Sequence, residues 1–239
     1  MEYAEFVDHV RADGVLLADT ADGNIDAYVP SCPDWQVRDL VAHVAQVYEH
    51  KIASTELQRA PDPWPPDRPA DRDPVEWFRD AHGRLLAMFQ VHEPTDPSPT
   101  WWPDDQTVGF WARRMAHETA IHGADAELAF GPATALDAAL AVDGIDEFLT
   151  YFVPDDESGA PALAGSVHLH CTDAYGEWTV TPGDDGVTVA RDHAKADTAL
   201  RGAANDLLLV LWRRLPLDAV TVFGDAALAA AFAHGGVTD

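Results

Sequence analysis

The chain has 239 residues, and 15 basic against 41 acidic side chains leave it with a formal charge of −26. That charge repels phosphate backbones and anionic lipid headgroups, and no basic stripe interrupts it, so nucleic acid and membrane surfaces are excluded as partners. With 47% hydrophobic residues and eight Trp the chain is too apolar to be disordered, and it is long enough for one large domain or two modest ones.

The opening Met1-Glu2-Tyr3-Ala4-Glu5 has no basic stretch followed by an apolar one, so the protein is expected in the cytoplasm. The longest apolar runs, such as Leu207 to Trp212, fall far short of the ~20 residues that cross a bilayer. Cys32 and Cys171 are too few for a disulfide scaffold and are expected to be reduced. Abundant Ala, with only Lys51 and Lys195 as lysines, points to a high-GC, actinobacterial source.

Residues 2–29 carry Phe6, Val10, Leu17 and Ile25 at roughly helical intervals, although Gly14 and Gly23 weaken the pattern. A second helix is expected from about Gln36 to Arg59, where Val37, Leu40, Val41, Val44, Val47, Tyr48 and Ile52 form a stripe and Asp34 offers an N-cap. The proline-rich segment Ala60 to Pro69 cannot continue it. A third helix is expected from Pro74 to about Val91, followed by a Pro/Asp loop, Glu93 to Asp105, that presents the pair Trp101-Trp102 either to a ligand or over the core. The fourth, about Thr107 to Phe130, stops at Gly131-Pro132. Residues Ala135 to Phe152 make a fifth.

After the polar linker Pro154 to Gly159 the period changes to two. Val167, Leu169 and Cys171 alternate with His168 and His170; Trp178-Thr179-Val180 and Val187-Thr188-Val189 continue the alternation around a turn at 182–186. A helix from Ala203 to Leu215, a strand from Ala219 to Phe223 and a helix from Asp225 to Ala233 complete the pattern. The fold class is therefore α+β, with a helical bundle over residues 1–153 and a small α+β sheet domain over 160–239.

Glu118 and His122 stand four positions apart on the fourth helix, one turn apart on one face. Such a pair can chelate a metal or simply stabilise a solvated helix face. His43 interrupts an apolar run on the second helix, as a hydrogen-bonded core histidine or as a third ligand. Ligands that converge from separate helices are how bundles assemble metal sites. Two His and one Glu would leave Zn²⁺ a free coordination position, the catalytic arrangement; Ni²⁺, Fe²⁺ or Co²⁺ would also accept these donors.

Cys32-Pro33-Asp34-Trp35-Gln36-Val37-Arg38-Asp39-Leu40-Val41-Ala42-His43-Val44, taken with the stretch from Trp111 to Glu127, resembles the mycothiol-dependent maleylpyruvate isomerase family. The resemblance extends over essentially the whole chain and implies a DinB-like metal-binding four-helix bundle with a sterol-carrier-like C-terminal domain. It implies His43, Glu118 and His122 as zinc ligands and mycothiol as the thiol cofactor or co-substrate. Gly202 to Arg214 resembles the family helix that ends in a functional arginine, so Arg214 is implied as a catalytic and cofactor-binding residue; a pair of cations at a helix C-terminus is the alternative. Gln36, where the family usually has Thr or Ser, and Asp34, in place of a common Gly, depart from the pattern away from the metal.

Among other candidates, His50 is two turns beyond His43 and reads as a surface residue or a support to the site. His117 points about 100° away from Glu118 and makes a poor ligand. His168 and His170 share a strand face without a third convergent group and read as surface residues. Cys32 has no visible base and reads as an inert thiol.

The implied function is a metal- and mycothiol-dependent isomerase or thiol S-transferase acting on a small electrophilic, unsaturated substrate; the alternatives are a non-catalytic metal- or ligand-binding regulatory module and a purely structural site. The expected partners are that substrate and a low-molecular-weight thiol, with the chain a monomer or homodimer.

Overall fold

The structure, a computed structural model, describes residues 1–69, 71–153, 163–183 and 186–235. The expected linker at 154–159 and positions 184 and 185 of the expected turn lie outside the described residues.

The first of two compact units spans Met1–Thr134. It contains α1 (Tyr3–Ala21), α2 (Val37–Leu57), α3 (Pro74–Val91) and α4 (Val108–Leu128). Both α1 and α2 pack mainly on α3 and α4, so the consecutive helices α1 and α2 stand across the bundle from one another. Phe78, Leu40, Leu17, Leu85, Met115 and Tyr48 are fully buried at its centre. Removing such side chains from water is the main favourable contribution to folding, about 1.5–3 kcal/mol for each large apolar one.

Local chemistry sets the helix starts. Pro74 opens α3, and the Asp73 carboxylate accepts from the amides of Val75 and Glu76 at 2.9 Å. Thr107 caps α4 by accepting from Phe110 N–H at 3.2 Å. At α2 the cap is Gln36, whose amide donates to Asp39 at 3.1 Å, and Asp34 does not fill that role. The reason is a short hairpin absent from the expected elements: β1 (Tyr28–Val29) pairs antiparallel with β2 (Cys32–Gln36) and keeps the chain extended up to Gln36. The helix expected over 2–29 accordingly ends at Ala21, and Gly23 turns the chain with φ +73°.

The second unit spans Ala135–Asp239. It begins with α5 (Ala138–Tyr151), which the expected bundle of residues 1–153 includes. α5 packs on α6 (Ala204–Leu211) of its own unit, and Phe148 meets the Trp212 ring edge-on at 5.2 Å. The sheet contains β3 (Val167–Cys171), β4 (Glu177–Gly183), β5 (Gly186–Ala190), β6 (Thr198–Gly202) and β7 (Thr221–Gly224), in the order β5-β4-β3-β6-β7. All neighbours are antiparallel except β3 and β6. β6 was not among the expected elements, and α6 ends four residues earlier than expected because Arg213 takes the left-handed conformation at φ +61°. A helix α7 (Ala226–Gly235) follows β7. Among the described residues no helix is long and apolar enough to cross a membrane.

Candidate metal centre

The α2–α4 seam of the first unit brings together the three residues singled out in its sequence. The ligand atoms of His43, Glu118 and His122 all lie within 4.8 Å of one another. His43 Nε2 and His122 Nε2 each stand 3.3 Å from Glu118 Oε1. The i, i+4 spacing stacks Glu118 and His122 on α4, and the packing of α2 on α4 supplies His43. Glu118 and His122 are buried, while His43 keeps some exposure.

A second layer holds this group in place. Asp125, fully buried one turn after His122, accepts from His122 Nδ1 at 2.9 Å, and its other oxygen accepts from the Ser31 hydroxyl at 2.5 Å. That bond keeps Nδ1 protonated and points Nε2 at Glu118. Arg114 donates to Glu118 Oε2 at 2.5 Å, which leaves Oε1 facing the two histidines. Trp35, delivered by β2, lies 4.9 Å from the His43 ring and 6.5 Å from that of His122. Burial opposes the charge of Glu118, yet Arg114, His122 and the hydrogen bonds from His122 and His43 hold its carboxyl well below the usual range. Burial likewise opposes the charged form of His122, and the Glu118 and Asp125 carboxylates outweigh it and carry the pKa up to about 9. The cluster thus favours positive charge between its three donors, and two imidazole nitrogens with one carboxylate oxygen fit a divalent ion.

Arg114, Ser31 and Asp125 were not among the residues expected at the site from the sequence. The signals were present for two of them, since Arg114 precedes Glu118 by one helical turn and Asp125 follows His122 by three positions. The other histidines stand apart from the centre. His117 is buried against Phe6, with ring centroids 6.1 Å apart. His50 meets Trp64 edge-on at 4.6 Å, and burial lowers its pKa to about 4. Its neighbour Lys51, also unanticipated, is buried between Trp64 and Trp111 at 4.8 and 4.6 Å from their rings, and burial pulls its pKa down to about 8. Cys32 is partly exposed in β2, whereas Cys171 in the sheet is buried and its thiol is pushed up to about 12. Arg214 belongs to the second unit, beyond the end of α6. There it donates to the Trp212 carbonyl at 2.7 Å and lines a cleft of about 310 Å³ with Val210, Leu217 and His234.

The Mycothiol maleylpyruvate isomerase N-terminal domain matches residues 9–127, and the MDMPI C-terminal domain matches residues 139–231. The chain belongs to the mycothiol-dependent maleylpyruvate isomerase family. His43, Glu118 and His122 fall in the N-terminal family domain and Arg214 in the C-terminal one. Crystal structures of the mycothiol-dependent maleylpyruvate isomerase share the fold. A histidine-to-alanine mutant is 12% identical with a TM-score of 0.63, and a second structure is 13% identical with a TM-score of 0.61. Each alignment covers 93% of this chain and 93% of the other. No curated protein matches the sequence.

Proposed function

We propose that the protein is a metal- and mycothiol-dependent isomerase or thiol S-transferase for a small unsaturated acid, with His43, Glu118 and His122 as the ligands of a zinc-class ion. The observation that carries this reading is the convergence of those three donors with Asp125 fixing the His122 tautomer. A divalent ion in this set supplies the Lewis acidity that lets a thiol lose its proton near neutral pH.

The chain's own groups define the rest. Asp125 and Arg114 orient His122 and Glu118 before any ligand arrives, which avoids reorganisation during the reaction. Trp35 lies against the His43 and His122 rings and limits water there. Arg214 is the residue proposed to grip a carboxylate, by its match to the family arginine, with the guanidinium as a two-pronged donor. With maleylpyruvate, sulfur adds to one alkene carbon while the electron pair moves toward the adjacent carbonyl. The bond between the alkene carbons becomes single and rotates, and loss of the sulfur restores the double bond in the trans form and returns the thiol. Retention of the adduct, with the thiol's proton returned to the carbon beside the carbonyl, would make the same addition an S-transferase reaction. A net charge of −26 repels an anionic substrate at long range, so positive charge close to the reacting atoms has to dominate there.

The test is conversion of maleylpyruvate, followed by absorbance, with and without mycothiol, in the zinc-loaded protein. We expect thiol-dependent turnover that drops at least a hundredfold in Glu118→Ala with its helical circular dichroism unchanged. Zinc bound at His122 without any thiol-dependent turnover of this or other unsaturated acids would favour the non-catalytic alternative.

A further inference from the structure

The second unit contains another cluster of metal-type donors, which neither the family match nor the proposed function uses. The ligand atoms of His168, His170, Glu177 and His193 all lie within 4.8 Å of one another. His170 Nδ1 stands 2.6 Å from Glu177 Oε1, and His193 Nδ1 stands 2.6 Å from Glu177 Oε2. His168 Nε2 is 3.6 Å from Glu177 Oε2, beyond a hydrogen bond. The His168 and His193 rings meet edge-on at 5.2 Å. This corrects the reading of His168 and His170 as surface residues lacking a third convergent group. His168 is only 7% exposed, and the β3–β4 register sets Glu177 directly opposite His170. The segment between β5 and β6 adds His193.

One atom in this cluster calls for a partner. His168 Nε2 is buried, has no hydrogen-bond partner among the described residues, and faces the Glu177 carboxylate. A buried imidazole nitrogen left in that state is costly unless something accepts its lone pair or proton. Four donors around one point satisfy it differently from three. In a tetrahedral zinc site with bonds of about 2.0–2.1 Å, neighbouring ligand atoms stand about 3.3 Å apart. From Glu177 Oε2 the separations are 3.6 Å to His168 and 2.6 Å to His193, either side of that value. All four ligand atoms lie within 4.8 Å of one another, so side-chain rotation is what would close them onto one ion.

We infer that His168, His170, Glu177 and His193 form a second, structural zinc-class site. Three imidazoles and one carboxylate close the coordination sphere, unlike the open three-donor centre in the bundle. Its effect would be to clip the β5–β6 segment, through the exposed His193, onto the β3–β4 hairpin.

The experiment is a zinc titration of the metal-stripped full-length protein against a chromophoric chelator, with circular dichroism as the folding control. In His43→Ala/His122→Ala, which removes two donors of the bundle centre, one equivalent of Zn²⁺ should still bind. Adding His193→Ala should weaken that equivalent at least tenfold, and adding Glu177→Gln should do the same. Should the His43→Ala/His122→Ala protein fail to fold, the single His193→Ala variant replaces it, with stoichiometry expected to fall from two to one. A folded double variant that binds no Zn²⁺, or binding indifferent to both His193→Ala and Glu177→Gln, overturns the second site. Neither result bears on thiol-dependent turnover, which tests the bundle centre separately.

Discussion

Asp125 governs its neighbourhood out of proportion to its size. It touches no proposed substrate atom, yet it determines which nitrogen of His122 carries the proton and receives the Ser31 hydroxyl on its other oxygen. Asp125→Asn keeps the volume and removes the charge, so zinc affinity at the bundle centre should fall about 10–100-fold. Chelator competition would measure this, and unchanged affinity would show that the bond does not tune the ligand. The pair Glu118 and His122 was legible in the sequence because helical spacing alone puts them on one face. His43 stood out as a polar residue in an apolar run, but only the family resemblance decided between a core histidine and a third ligand, since nothing in its spacing says which helix it faces. Arg114 and Asp125 stood at helical registers from the pair, but an acidic chain offers many such coincidences. The His168 cluster was half legible: strand alternation pairs the two histidines, whereas Glu177 depends on hairpin register and His193 on the path of an irregular segment.

Helix by helix, one glycine shows how packing overrides propensity. Gly14 counts against α1 in the sequence, but a Cβ there would lie 2.4 Å from His82 Nε2 of α3. The missing side chain admits the His82 ring, which bonds the Val10 carbonyl at 2.9 Å. Gly14→Ala gains up to about 1 kcal/mol in helix propensity and forces that ring out of place, which costs about 1–3 kcal/mol. Urea unfolding should show net destabilisation, and the same substitution in a His82→Ala background should become neutral or stabilising. A Gly14→Ala protein more stable than the parent in both backgrounds would refute the packing account. The long helices were readable because their apolar stripes persist over several turns. β6 was not, because Thr198-Ala-Leu-Arg-Gly is too short and too weakly alternating to declare itself. Its identity comes from lying between β3 and β7. The β1–β2 hairpin escaped notice for the same reason.

At the scale of the whole molecule the charge dominates. Forty-one carboxylates against fifteen cations repel one another more in the folded protein than in the expanded chain. Shortening the Debye length from about 30 Å at 0.01 M salt to about 8 Å at 0.15 M screens that repulsion. The melting temperature should rise by several degrees over this range, equally in NaCl and KCl. A flat or falling trend would mean that the ion pairs on the surface outweigh the repulsion. Composition made this property readable, while the division between the units was not, since α5 has the amphipathic pattern of a bundle helix and only its contacts assign it to the sheet.

The seam between α2 and α4 joins parts of the chain that have the whole of α3 between them in sequence. Such a junction exists only after a long loop has closed, so an unfolded chain has no counterpart of it. A cation held there by one helix on one side and one on the other cannot remain when they separate. The residence time of such an ion therefore could not exceed the lifetime of the closed bundle, and slow exchange would mean a bundle that seldom opens.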